Sequence, residues 1–440
     1  MALACIIQPL PHNGWMPVSR GSKKCTGRIN PGDGILACCN LVARAYFIFA
    51  ALARYHMAIS SMVNSHPYLN NLTPLRGAAA TWVAIYHFGT TVPLFQERQT
   101  TIIAKGYMMV DLFFIMSGFI MRYVYGVHFT RQVTKPDLQR FIVARFARIY
   151  PLHLFTLLVA IIMAASAGNW NPVNDPAAIP TNLLLLQSFG IHRLSTWNRP
   201  SWSLSAEWAA YMVFPLLSVF FYRQRRLAYW VLPPLIALVY IALVYWIPPA
   251  GIGNADRLIL HKLDVTYDYG FLRGIAGFTL GMIGYGLYTQ PRIYQIFDED
   301  AIALVFISAT LLCMHTGVND LFLIIAFLGV TLCFASNSGY IHQVCNFRPA
   351  QFLGKISYSI YLMQWIVTPL FITLVKSSGI IPLFPPVSFF HRLVYVLTYM
   401  LLLIGLSSVT YSGIEKPCRN FINRKYAHFI KVKHPDAISN

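Results

Sequence analysis

The chain has 440 residues, of which 56% are hydrophobic and only 11% are charged. A soluble domain carries about a quarter charged residues, and no single water-soluble core hides this much apolar surface, so the composition excludes an ordinary soluble domain and points to an all-α polytopic membrane protein. The formal charge of +19 comes from 34 Lys+Arg against 15 Asp+Glu, but these cations sit in short loops between apolar runs, which argues for membrane topology and against nucleic acid as a partner.

The first sixty residues do not share this pattern. The stretch ILACCNLVARAYFIFAALA (35–53) is interrupted by Arg44. It also lies too far into the chain for a secretory signal, which needs an early apolar run and a small-residue cleavage site. The expectation is a poorly structured or over-extended segment over 1–61, with the functional protein starting near Met57 or Met62. A membrane domain over 62–422 and a basic tail over 423–440 follow.

Ten apolar runs are long enough to cross about 30 Å of hydrocarbon as helices: 77–95, 106–126, 149–167, 204–222, 227–247, 271–289, 301–316, 320–336, 352–375 and 393–413. The seventh and eighth are short and nearly contiguous, and admit a re-entrant hairpin as well as two spans. Arg131, Lys135, Arg140, Arg145 and Arg148 follow the second run, Arg223, Arg225 and Arg226 follow the fourth, and six Lys or Arg residues follow the tenth. With an even number of spans, these clusters place both termini in the cytoplasm. Lys262 and Arg273 dissent from that assignment. Eight cysteines occur without a CxxC pair, which supports neither a disulfide framework nor a metal site.

An ionisable group within a span costs several kcal/mol unless it is paired or hydrated, so each one marks a candidate site. In LRGAAATWVAIYHF, Arg76 and His87 are eleven residues apart, which places them within about 20° on one helix face and about 16 Å apart along the axis. The structural alternatives are a snorkelling arginine and a bonded core histidine. Asp111, in GYMMVDLFFIMSGFIM, is expected at the depth of His87, where a carboxylate orients an imidazole and raises its basicity. Its structural alternative is a buried aspartate bonded to backbone or tyrosine. Ser117-Gly118-Phe119 in the same run suits a close helix crossing.

Further along, Arg145 and Arg148 in RFARIYPL share a helix face and form a fork suited to phosphates, unless they are ordinary cytoplasmic anchors. Glu207, in WSLSAEW, is expected at the extracytoplasmic entrance of its span, level with His87 and Asp111, or else bonded to Trp202 or Tyr211. The run LGKISYSIYLMQW sets Tyr361 and Gln364 three residues apart, on one face that can line a cavity. In IEKP, Pro417 ends the last span.

Taken in order, these six segments resemble the acyltransferase-3 family of integral-membrane acyltransferases over roughly 72–422. Such proteins modify O-antigens, exopolysaccharides, Nod factors and some antibiotics, mostly by O-acetylation. The family's Arg-x10-His signature falls on Arg76 and His87. Its second-span aspartate falls on Asp111, its arginine pair on Arg145 and Arg148, and its Trp-Ser-Leu glutamate on Glu207. One departure is Gln364, where the family usually has histidine, so that position is expected to be a secondary polar contact that an amide can fill.

The resemblance implies acetyl-CoA or another acyl-CoA as cytoplasmic donor, its phosphates held by Arg145 and Arg148 with Arg76. The implied acceptor is a carbohydrate hydroxyl, as in exopolysaccharide or lipopolysaccharide, and no metal is required. His87 is then the general base or first receives the acyl group. Asp111 or Glu207 is its neighbour, and Trp202, Tyr361 and Gln364 contact the sugar, with Trp170 and Trp197 as further stacking surfaces. The implied location is the bacterial cytoplasmic (inner) membrane. The rival class is a transporter of a lipid-linked sugar or a proton-coupled solute, which would often show two related halves; no such symmetry is visible in the sequence.

Overall fold

A computed structural model of the chain describes residues 69–92, 99–248, 262–377 and 388–433. The segment 1–61 and the expected start near Met57 or Met62 lie outside the described residues. Every one of the ten apolar runs falls on a helix: α1 (Leu72–Gly89), α2 (Met109–Tyr125), α3 (Lys135–Ser166), α4 (Trp202–Arg223), α5 (Arg225–Ile241), α6 (Gly270–Tyr288), α7 (Asp300–Thr316), α8 (Asp320–Ser336), α9 (Arg348–Ser377) and α10 (Phe389–Thr410). The basic helix α11 (Lys416–Lys433) follows. Among the described residues there is no strand.

The protein is an integral membrane protein built of helices, and among the described residues six helical stretches are long and apolar enough to cross a bilayer. These contain α2, α3, α4, α5, α9 and the joined α10–α11, while α7 and α8 are shorter apolar helices. α1 and α6 fall outside the six because of what they are made of. α1 carries Arg76 and His87 near its two ends, and α6 holds glycine at 270, 274, 277, 281, 284 and 286.

Local chemistry sets the helix ends. The Thr134 side chain caps α3, accepting from the Asp137 amide at 3.3 Å, with Pro136 in the first turn, where its missing N–H costs nothing. The Asn319 side chain caps α8 through Leu321 N. α7 stops at Gly317, whose φ of +72° is a left-handed conformation that glycine adopts without strain.

Two glycine crossings position the interior. At Gly118 a Cβ would overlap the Phe278 carbonyl, and at Gly281 it would overlap that of Ile115, so α2 and α6 touch backbone to backbone. The close crossing expected at Ser117-Gly118-Phe119 is therefore present. At Gly77 a Cβ would lie 2.7 Å from Gly354 N, which brings α1 against α9 one residue from Arg76. Small residues permit such approaches, and dispersion contacts then hold helices together where lipid tails offer no hydrophobic drive. Phe114, Ile115, Phe119, Phe278 and Met282 fill the α2–α6 seam and are all buried.

Candidate active site

Helices α1, α2, α3, α4 and α9 enclose a cavity of about 140 Å³ lined by Arg76, Ser117, Arg145, Arg148, Glu207, Tyr211, Ser357, Tyr358 and Tyr361 among others. That is close to the volume of an engineered cavity that admits benzene, about 150 Å³, so it admits a slender group or one part of a cofactor rather than a whole one. Tyr211 OH donates to Glu207 Oε1 at 2.5 Å and Ser117 Oγ to the same oxygen at 2.9 Å. Arg148 is paired with Glu415, whose other oxygen accepts from Ser359 Oγ at 2.8 Å. Arg145 donates from Nη2 to Tyr125 OH at 2.9 Å and lies over the Tyr125 ring.

Three features of this cavity ask for a ligand. First, three guanidiniums and one carboxylate, Glu207, line the cavity, and Glu415 pairs with Arg148 and Arg419, which leaves a positive excess. Second, Arg76 stands within electrostatic reach of Arg148, Glu207 and Glu415, yet no hydrogen bond or ion pair ties it among the described residues. Third, Arg145 Nε and Ser357 Oγ are buried without a partner. Such groups cost about 1–3 kcal/mol each when left unmet.

His87 lies elsewhere. It lines a second cavity, of about 640 Å³, with Thr90, Asn169, Asn171, Asn174, Trp197, Arg199, Trp365 and Thr368. Its ring meets Trp365 edge-on with centroids 6.4 Å apart, and the Arg199 guanidinium lies 5.3 Å from the Trp365 centroid. The asparagine loop is pinned in place: Asn171 Oδ1 accepts from Val173 N and Asn174 N at 2.9 and 3.0 Å, and Trp197 Nε1 donates to Asp175 O at 3.0 Å. Amides, an indole face and a guanidinium around a roomy cavity suit a hydroxyl-rich ligand. Both cavities are lined by α9, Tyr361 of the first and Trp365 of the second standing one turn apart, about 6 Å along the axis. Tyr361 OH is held there by Ser203 Oγ at 2.7 Å and Pro200 O at 3.0 Å.

The structure thus brings Arg76, Arg145, Arg148, Glu207 and Tyr361 together and separates them from His87, which corrects four expectations. Asp111 does not neighbour the imidazole. It is wholly buried and bonded by Arg273 through Nε at 3.0 Å and Nη2 at 2.5 Å. Glu207 does not line the cavity of His87. The segment before α4 is itself buried, with Asn198 Nδ2 donating to Leu362 O and Gln187 Nε2 to Ser201 O, so α4 starts inside the protein and carries Glu207 to the arginines. Trp202 lines neither cavity; it lies 5.3 Å from the Arg273 guanidinium and packs on Phe114. Gln364 lines neither cavity, and its amide donates back to Tyr361 O at 2.8 Å.

Sequence reasoning passed over Glu415, Arg199 and Trp365. Glu415 was in plain view within IEKP, where the proline drew attention to helix termination instead. Arg273 carried a usable signal: a cation inside an apolar run, on the wrong side for topology, needs a buried acid, and Asp111 is that acid.

The sequence profile of a family described as "Acyltransferase domain" matches residues 69–412. The chain is 35% identical over 158 residues to acyltransferase MdmB of Streptomyces mycarofaciens, covering 34% of this chain and 38% of that protein. It is 23% identical over 396 residues to O-acetyltransferase OatA of Staphylococcus aureus, covering 83% of this chain and 60% of that protein. The chain therefore spans 60% or less of the length of these curated relatives. No solved structure matches it. With a profile match over most of its length and the family's motifs in order, the chain belongs to the acyltransferase-3 family of membrane acyltransferases.

Proposed function

We propose that this protein is an O-acyltransferase of the bacterial cytoplasmic membrane. Its ten apolar helices cross the bilayer, both termini are cytoplasmic, and it moves an acyl group, acetyl foremost, from acyl-CoA to a carbohydrate hydroxyl. The observation that carries this reading is the pair of cavities at the two ends of the Arg76–His87 stripe, both lined by α9. One has an excess of positive charge and unmet buried donors; the other is lined by amides, tryptophans and an imidazole.

The donor enters from the arginine-rich end. Its phosphates meet Arg76, Arg145 and Arg148, with charge-assisted bonds to guanidinium. The pantetheine arm is long enough to carry the thioester past Tyr361 toward His87. The acceptor occupies the outer cavity, with Trp197, Trp365 and the asparagines against the sugar. His87 takes the proton of the acceptor hydroxyl as its oxygen attacks the thioester carbonyl. A C–O bond forms, the C–S bond breaks, and the departing thiolate recovers the proton from the imidazolium. Glu207, held by Tyr211 and Ser117, positions the donor end of the site; Asp111 takes no part in proton transfer.

Purified protein supplied with acetyl-CoA labelled in the acetyl group tests the reading, with mass spectrometry of surface glycans from cells with and without the gene. Label transfer to glycan and an acyl-sized mass loss on deletion are expected. Absence of both, with abundant folded protein, overturns it.

A further inference from the structure

A third cavity, of about 440 Å³, has no role in the transfer just described. It is lined by Arg122, Thr130, Ser218, Tyr222, Arg225 and Tyr229 among others, and is formed by the ends of α2, α4 and α6 and the beginning of α5. This is the end of the bundle that carries Arg223, Arg225 and Arg226.

Two cations line it and no carboxylate does. Arg122 donates from Nη1 to Tyr229 OH at 3.0 Å and Met282 O at 2.6 Å, and its guanidinium lies 4.1 Å over the Phe221 ring. Those contacts hold the cation without neutralising it, and among the described residues neither Arg122 nor Arg225 has an ion pair. Ser218 adds an independent sign of a ligand. It is 5% exposed, and its Oγ has no partner. Helical serines usually bond back to the carbonyl four residues earlier, as Ser408 and Ser412 do here at 2.7 Å. Ser218 does not, so a residue that lines the cavity keeps a buried hydroxyl without a partner. The rim is apolar: Val127 and Tyr222 line the cavity yet are largely exposed, and Trp230, one turn beyond the start of α5, is 80% exposed. Exposed aromatics beside arginines mark the membrane–water interface.

Cations and a free hydroxyl inside with apolar surface outside match an amphiphile that carries a phosphate. We propose that this cavity binds the phosphate of an anionic phospholipid headgroup through Arg122, Arg225 and Ser218, its acyl chains lying outside along Val127 and Tyr222. The site shares no lining residue with the acyl-transfer cavities.

Native mass spectrometry of the full-length protein, delipidated and then titrated with phosphatidylglycerol, phosphatidylcholine or inorganic phosphate, tests this. One retained phosphatidylglycerol per chain is expected, bound about tenfold more tightly than phosphatidylcholine. Arg225→Glu is expected to abolish that preference and Ser218→Ala to weaken it several-fold, with both proteins eluting as wild type. Arg225 is exposed, so its replacement tests binding without disturbing packing. Equal retention of both lipids, unchanged preference in Arg225→Glu, or binding of inorganic phosphate with no retained lipid would each overturn the proposal.

Discussion

Replacing Asp111 by asparagine separates two accounts of that carboxylate. If it is the structural partner of Arg273, its loss damages the fold; if it serves catalysis, its loss damages turnover at constant stability. Both side chains are 0% exposed, and the guanidinium grips both carboxylate oxygens, at 3.0 and 2.5 Å. Removing one member of a buried pair strands the other charge and costs about 3–5 kcal/mol, whereas a well-packed apolar pair in its place is often neutral or stabilising. Arg273 also donates to Val265 O at 3.1 Å and Tyr107 O at 3.3 Å; Tyr107 O keeps the Met109 amide, so Arg273→Met is expected to cost about 1–3 kcal/mol more, chiefly at Val265 O. The combined Asp111→Leu, Arg273→Met protein should recover the penalty of the stranded charge, keeping only the cost of the lost carbonyl bonds. Denaturant titration in detergent, followed by tryptophan emission, reads this directly, since Trp202 lies 5.3 Å from the Arg273 guanidinium. Acyl transfer per folded molecule in the double variant should stay within a few-fold of the parent. A double variant that folds as stably as the parent but transfers about 100-fold less would refute the structural account and return Asp111 to the chemistry.

His87→Ala should lower turnover by about 10²–10⁴-fold at matched abundance, the usual contribution of a positioned general base, and wild-type label transfer would remove it from that role. Arg76→Ala should raise the donor KM by about tenfold with kcat little changed, because the lost contact is to the donor in both ground and transition states; steady-state kinetics with varied acyl-CoA checks this, and an unchanged KM counts against a donor role. Gly281→Ala forces a Cβ into the Ile115 carbonyl and should destabilise the α2–α6 pair by about 1–3 kcal/mol. Gly405→Ala, where a Cβ meets nothing within 4 Å, should be neutral or slightly stabilising in the same unfolding assay.

Much of the fold was legible because the bilayer imposes one strong rule: every spanning backbone must satisfy its own hydrogen bonds, so apolar runs of sufficient length become helices. Ten runs accordingly fall on ten helices, and the glycine at 118 announced a close crossing that the Phe278 carbonyl confirms. The arginine cluster was legible too, since Arg76, Arg145 and Arg148 occupy one cavity. Depth was not. Placing Glu207 level with His87 assumed that α4 begins at the membrane surface. The buried turn through Asn198 and Ser201, held by Leu362 O and Gln187, sinks the start of the helix, and no periodicity in the sequence encodes that. Partner choice was equally hidden: Arg76, His87, Arg145, Arg148 and Arg273 all stand on other helices, and only the α2–α6 crossing selects Arg273 for Asp111. Trp365 escaped notice because its neighbour Gln364 occupies the recognisable motif position, while the indole faces the cavity.

The eleven-residue interval from Arg76 to His87 gains a physical meaning once both cavities are in place. Between them α1 carries Gly77, Ala79, Ala80, Val83 and Ala84, all buried. Ala80 and Ala84 pack in one cluster with Ile356, Ile360, Met363, Ile366 and Val367 of α9. Small residues on one helix facing β-branched and long residues on the other let the two axes run close together, and the Gly77–Gly354 contact fixes their register. On α9 the matching stripe runs Tyr358, Tyr361, Trp365, with the first two lining the arginine cavity and the third lining the cavity of His87. Two helices locked along a shared apolar seam thus present paired polar groups at both ends, about 16 Å apart. A guanidinium and an imidazole at that separation cannot act on the same atom. On the function proposed above, they act on the two ends of one extended donor, which gives each a role in a segment otherwise so apolar.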